Sequence, residues 1–311
     1  MHSRGTVTVT RWRPGDAHGF NVAVIVPQTL ESDESIVFPM SYDYRVEPLL
    51  LRRLEVIAAV TGRRLVAVET PGVTVNFDEP SRTTRALVGG AAFRAGITGN
   101  YSGLATLQFQ ALHDVANVDP STSRYLGESL GAQSVMSMSL QAAPLSLDLV
   151  EPVNCLPMGL AALMRMGRSL VEIEEPLRSR YVARSKSSGW DTPDVFEKSS
   201  DENERIDRRL KRFWSQGRWA ALSAVAMRRG LLALARQVDP TTPVRVWRGA
   251  DSTACLAADV SQFVEQLGST ADWATLQIDG MPAGHHVLTE LDAATGFALE
   301  LRRQWAPGAT R

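Results

Sequence analysis

The chain has 311 residues and a formal net charge of -1, so no overall field draws it to nucleic acid or to an anionic membrane. Hydrophobic residues make up 44% and charged residues 22%, the usage of a soluble globular protein large enough for one α/β domain carrying an insertion. Two cysteines, Cys155 and Cys255, stand far apart in no metal-ligand spacing, which excludes a disulfide framework and a zinc site and predicts two half-buried apolar side chains.

Taken in chain order, the first segments read as strands. Thr6–Trp12 (TVTVTRW) alternates, Asn21–Pro27 (NVAVIVP) is a β-branched apolar run, and Pro14–Asp16 makes a turn between them. Ser35–Phe38 is a short buried strand ending at Pro39. Val46–Val60 has apolar residues at helical spacing, with Pro48 tolerable only in its first turn and Gly62 as its stop. Arg64–Glu69 is a further buried strand. The glycine-rich stretch Ser81–Asn100 has no assignable pattern. Leu104–Val115 reads as a helix, Ser123–Leu126 as a strand running into Gly127, Gln133–Leu140 as a helix and Leu145–Val150 as a strand. Strands separated by helices imply βαβ units and a mostly parallel sheet covered on both faces.

After Pro152 the pattern changes. Leu156–Met166 is an apolar, methionine-rich helix, Arg184–Glu204 a polar loop, and Ile206–Val238 one long amphipathic helix. In it, Arg208, Arg209, Lys211 and Arg212 form a solvated face. Strand character returns at Val244–Trp247, Trp273–Ile278 is the last strand, and Thr289–Trp305 the last helix. The expected organisation is therefore an α/β core over 1–151 and 231–311, with a helical cap inserted over 152–230.

Within Leu126–Ala132 lies Gly127-Glu128-Ser129-Leu130-Gly131, a G-x-S-x-G pattern between a predicted strand and a predicted helix. Such a turn forces the serine into a strained conformation, and the flanking residues must be small to avoid the neighbouring strand and helix. The hydroxyl is thereby lifted above the sheet, and the Leu130 N–H lies at a helix N-terminus where an oxyanion can rest. A serine hydroxyl needs a base, and the base needs an acid to orient it. Of the five histidines, only His285 and His286 follow the last predicted strand, in GMPAGHHVL. A loop at the carboxyl end of a parallel strand faces the same cleft as the turn. The acid is expected between serine and histidine in the chain. Asp251 follows the strand VRVW, and Glu151, at the end of LDLVEP, is the alternative.

These pieces, the elbow GESLGA, the segment VRVWRGAD, the terminal AGHH and Glu69–Val73 (ETPGV), together resemble the α/β-hydrolase superfamily over nearly the whole chain. The resemblance implies a mostly parallel sheet flanked by helices with an inserted cap. It also implies a serine esterase chemistry in which Ser129, Asp251 and His285 act in the family's order, His285 being favoured over His286 because it follows a glycine. The family's third-strand loop usually reads His-Gly and supplies the second oxyanion donor. Here it reads Phe38-Pro39-Met40-Ser41-Tyr42, so the donor falls to Met40 or Ser41 because proline has no N–H.

The expected partner is a small-molecule ester or related acyl compound with an apolar part, with Leu156, Met158, Leu163, Met164 and Met166 as candidate walls of its pocket. No cofactor, metal or nucleic acid is expected, and a homodimer is compatible with the sequence. No stretch approaches the ~20 apolar residues of a membrane span. The N-terminal MHSRGTVTVTRW lacks the apolar core of a signal peptide, which points to the cytoplasm. A non-catalytic binding scaffold and an acyltransferase using the same serine are the alternative functions.

Overall fold

A computed structural model describes residues 5–13, 19–41, 46, 48–71, 94–95, 98–169, 223–278, 281–282, 288 and 291–306. The strands are β1 (Thr6–Trp12), β2 (Phe20–Val26), β3 (Ser35–Pro39), β4 (Arg64–Val68), β5 (Ser123–Glu128), β6 (Ser146–Val150), β7 (Val244–Gly249), β8 (Ala271–Ile278) and a two-residue β9 (Met281–Pro282). The helices are α1 (Pro48–Thr61), α2 (Ser102–Ala116), α3 (Gly131–Ser139), α4 (Leu160–Ser169), α5 (Leu232–Ala235), α6 (Ala257–Leu267) and α7 (Leu291–Gln304). The strands form one sheet in the order β1-β2-β4-β3-β5-β6-β7-β8-β9. Strands β1 and β2 run antiparallel at one edge and β9 antiparallel at the other, while every pair from β4 to β8 is parallel.

The two-residue period of the strands sorts the core into two layers. Val37, Val66, Tyr125, Leu147, Leu149 and Val246 face α2, α3 and α6 through Leu112, Val135 and Phe263. Their neighbours in sequence, Ile36, Phe38, Leu65, Ala67, Leu126, Val150 and Trp247, face the opposite layer, where Leu54 and Ile57 of α1 meet Phe297 and Leu301 of α7. Trp247 meets Phe297 edge to face with ring centroids 5.4 Å apart. A sheet buried on both faces explains why these strands read as continuous apolar runs.

Four sequence expectations need correction. No helix is expected over Ala257–Leu267, yet α6 forms there; its first turn has no capping side chain, since Leu256 holds the N-cap position. Strand β9 follows β8, so β8 is not the last. The single long helix expected over Ile206–Val238 is interrupted. Residues 223–229 are helical, but Gly230 adopts φ 68°, where a Cβ would stand 2.6 Å from Pro157 N, and α5 starts afresh at Leu232. Both cysteines are free, fully buried and members of one core cluster rather than half-buried. The Cys155 thiol, together with burial, pushes the Cys255 thiol well up. The expected loop Arg184–Glu204 and the basic face Arg208–Arg212 lie outside the described residues, as does most of the expected cap. Among the described residues, no helix is long and apolar enough to cross a membrane.

Polar ties gather at the amino edge of the parallel strands. Glu34, just before β3, accepts from Arg124 Nε at 2.8 Å and Nη2 at 3.1 Å, and from Arg63 Nε at 2.9 Å. Both guanidinium groups lie over the Trp305 ring, 5.3 and 5.2 Å from its centroid, which fastens the end of α7 to this edge. Partial burial opposes the charge of Glu34, but the Arg124 and Arg63 hydrogen bonds outweigh it and hold the carboxyl below its usual range. A depressed carboxyl stabilises the fold above its unfolded-state value and loses that contribution as pH falls through its folded-state value. Glu34→Gln is therefore expected to lower the melting temperature by several degrees at pH 7. The gap from the unaltered protein should close as the pH is taken below 4 in a thermal-melt series.

Candidate active site

The carboxyl ends of β3, β5, β6 and β7 lie side by side, and the chemistry-bearing residues collect there. Strand β5 ends at Glu128, whose register partner is Val150 of β6. Ser129 then turns out of the strand with φ 52°, a left-handed conformation that costs a non-glycine residue about 1–3 kcal/mol. Its N–H still donates to Val150 O at 2.8 Å, so the ladder continues one residue past the strand while the side chain leaves the sheet. The helix begins at once, with Ala132 N–H donating to Ser129 O and Gln133 N–H to Leu130 O.

The two glycines of the pattern are required by close approach. A Cβ on Gly127 would stand 2.7 Å from Val135 Cγ2 and 2.8 Å from Gly131 O. One on Gly131 would stand 2.8 Å from Pro39 O and 3.3 Å from Ser41 N. The second contact brings the loop after β3 against the first turn of α3. Ser129 is half-buried, neither packed into the core nor fully exposed.

The loop after β3 puts the two expected donors in different situations. Met40 N–H donates to Val68 O at 2.9 Å, continuing the β3–β4 ladder, and Met40 O accepts from Thr70 Oγ1 at 3.0 Å. The Met40 amide is thus taken by the sheet, and its side chain is buried in the α1–α7 layer, so Met40 is withdrawn as an oxyanion donor. Neither Ser41 N–H nor Leu130 N–H makes a backbone hydrogen bond among the described residues.

The acid candidates stand in different surroundings. Asp251 is exposed in the turn that follows β7. Glu151 is fully buried just past β6, with φ 49°, and its carboxylate accepts from Gly249 N–H and from Ser252 Oγ–H. From the other side, the Arg248 guanidinium donates to the carbonyls of Cys255 at 2.6 Å, Ala250 at 3.1 Å and Ser252 at 2.9 Å. The turn carrying Asp251 is held between these two side chains. His285 and His286 lie outside the described residues; Leu288, shortly after them, is buried. His113, the one described histidine, is largely exposed on α2 beside Asp114.

Sequence reasoning did not single out Glu69 or Glu128 as structural ties. Glu69, following β4, accepts from Asn21 N–H at 2.9 Å, Asn21 Nδ2 at 3.2 Å and Val46 N–H at 2.9 Å. Glu128 accepts from Leu288 N–H at 3.1 Å. Glu69, Glu128 and Glu151 thus occupy the ends of three strands, each buried and each receiving backbone N–H groups from a distant segment. Their partners lie 48, 160 and 98 residues away for Asn21, Leu288 and Gly249, so no local pattern betrays them.

Beside the elbow lies a third apolar cluster. Leu130 is buried with Tyr101, Leu104, Val153, Ala226 and Ala254, and Met166 and Met227 pack against them. Of the expected pocket walls, Met166 joins this cluster, Leu156 packs on the main core instead, and Met164 is 70% exposed.

No family model matches the sequence, and no curated protein resembles it at the sequence level. Its structure is nevertheless similar to many solved ones. A serine hydrolase from Cycloclasticus zankles superposes with a TM-score of 0.57 at 10% identity, covering 96% of this chain and 97% of that one. A bromoperoxidase from Bacillus anthracis gives 0.56 at 10% identity, with 95% and 99% covered. Carboxyl esterase 2 from Tuber melanosporum gives 0.51 at 13% identity, with 99% and 84% covered. Identities this low carry the architecture alone. With the strand order, the elbow and these likenesses together, the chain has the α/β-hydrolase fold.

Proposed function

We propose that the protein is a serine hydrolase that cleaves a carboxylic ester or related acyl bond. The observation that carries this reading is the left-handed Ser129, held half-exposed at the carboxyl edge between two glycines that have no room for a Cβ. Backbone strain of this kind persists only where the surroundings over-determine it, and it aims a hydroxyl out of the sheet.

In this mechanism the Ser129 Oγ attacks the acyl carbon while His285 takes its proton and Asp251 orients the imidazole. The tetrahedral oxyanion is received by the N–H groups of Leu130 and Ser41, neither of which donates to a backbone carbonyl among the described residues. Collapse breaks the bond from acyl carbon to leaving group, the alcohol departs with the proton from His285, and an acyl-enzyme remains. Water, deprotonated by the same histidine, attacks that ester and regenerates Ser129. The apolar cluster around Leu130 supports a substrate with an apolar acyl or alcohol part. Asp251 is preferred to Glu151 as the acid because both oxygens of Glu151 already accept hydrogen bonds from the turn that carries Asp251.

Three experiments test this. A fluorophosphonate probe should label the protein at Ser129, and Ser129→Ala should abolish labelling and lower kcat for a p-nitrophenyl ester on the order of 10⁴-fold or more. A wild-type protein that neither labels nor hydrolyses such esters would be a binding scaffold instead, and product analysis with competing alcohols separates hydrolysis from acyl transfer. Asp251→Asn should cost about 10³–10⁴-fold in kcat with the melting temperature little changed. Glu151→Gln should act chiefly on stability, and the reverse pattern would make Glu151 the acid. Gly131→Ala should push the Pro39–Ser41 loop away from the elbow and lower kcat by up to about 10²-fold, with a smaller change in KM.

A further inference from the structure

Glu128 immediately precedes the nucleophile, and an acidic side chain is an expensive choice for a site only 1% exposed, because an ionised carboxylate out of water needs hydrogen bonds to offset its lost hydration. Strand alternation sends it toward the layer of Leu126, away from the hydroxyl of Ser129, and there it meets Leu288, itself fully buried. The Leu288 N–H donates to Glu128 Oε1 at 3.1 Å. Leu288 follows His285 by three residues and His286 by two. Three residues span at most about 10 Å of chain. One side chain and one hydrogen bond therefore connect the backbone of the nucleophile to the backbone of the segment bearing the base.

The same device recurs at the other site loops. Glu69 holds Val46, shortly after the Ser41 loop, and Glu151 holds Gly249, at the root of the Asp251 turn. In each case the carboxylate accepts main-chain N–H groups, so it fixes where the loop sits whatever side chains the loop carries.

We propose that Glu128 is a positioning residue for catalysis, its carboxylate fixing the histidine-bearing segment at a set distance from Ser129. This rests on the serine hydrolase reading above. Truncating the acceptor lets the segment shift, and misplacement of about 1 Å at a reacting group is enough to cost on the order of 10²-fold in rate.

The test compares Glu128→Gln, which keeps an oxygen acceptor for the Leu288 amide, with Glu128→Met and Glu128→Ala, which do not. Steady-state kinetics on a p-nitrophenyl ester, melting temperatures, and hydrogen exchange of the peptide containing Leu288 are read for each. Glu128→Met should lose 10- to 100-fold in kcat with KM changed by less than about threefold, and its Leu288 amide should exchange at least tenfold faster. Glu128→Gln should recover most of both losses. If Glu128→Met fails to fold, Glu128→Ala serves the same comparison. An unchanged kcat in the folded non-acceptor variants, equal loss in Glu128→Gln, or a loss confined to KM would overturn the proposal. A wild type that neither hydrolyses nor labels would remove the hydrolase reading and the catalytic role with it, while the exchange measurement would still report whether the tether exists.

Discussion

One hydrogen bond organises the site: Ser129 N–H to Val150 O, at 2.8 Å. It keeps the backbone of residue 129 in the β5–β6 ladder while φ 52° turns the rest of the residue out of it. A chain obeying only its local preferences would either extend the strand or begin the helix with an ordinary turn. Here the strand, the helix and the neighbouring strand all insist on the same residue, and the left-handed conformation is what satisfies them together. Gly127 and Gly131 follow from that, because a turn this tight leaves Val135, Pro39 and Ser41 where a Cβ on either glycine would have to go. The spacing between the elbow and the loop after β3 follows in turn, since Gly131 sets how closely Pro39 and Ser41 approach.

Around this fixed point the loops are arranged by buried carboxylates. Backbone amides make good targets for such ties, because every loop residue other than proline has one to give. A charge taken out of water is costly unless paired, yet a carboxylate accepting two or three N–H or O–H groups is well compensated. Glu69 and Glu151 each accept from more than one donor. The strain of Glu151, φ 49° just past β6, is of the same kind as that of Ser129 one strand away.

How much of this was legible in the sequence depends on range. The strands of the core could be read because burial on both faces leaves continuous apolar runs, and the elbow because its chemistry is confined to five consecutive residues. The Met40 amide could not be read, because its fate is decided by the parallel register that sets Pro39 opposite Val68. The glutamate ties could not be read either: Glu128 looked like the variable position of a motif, and its partner stands 160 residues further on. Helix α6 escaped because its start carries no capping side chain, and Gly230 ended a helix whose amphipathic pattern continues beyond it. In that last case a backbone approach to Pro157 outweighed periodicity.

The ion cluster of Glu34, Arg63, Arg124 and Trp305 sits at the edge of the sheet opposite the elbow. Evolvability is the consequence. The residues that anchor α7 lie at the opposite ends of the strands from Ser129, so side chains of the loops around the elbow can drift without loosening that anchor.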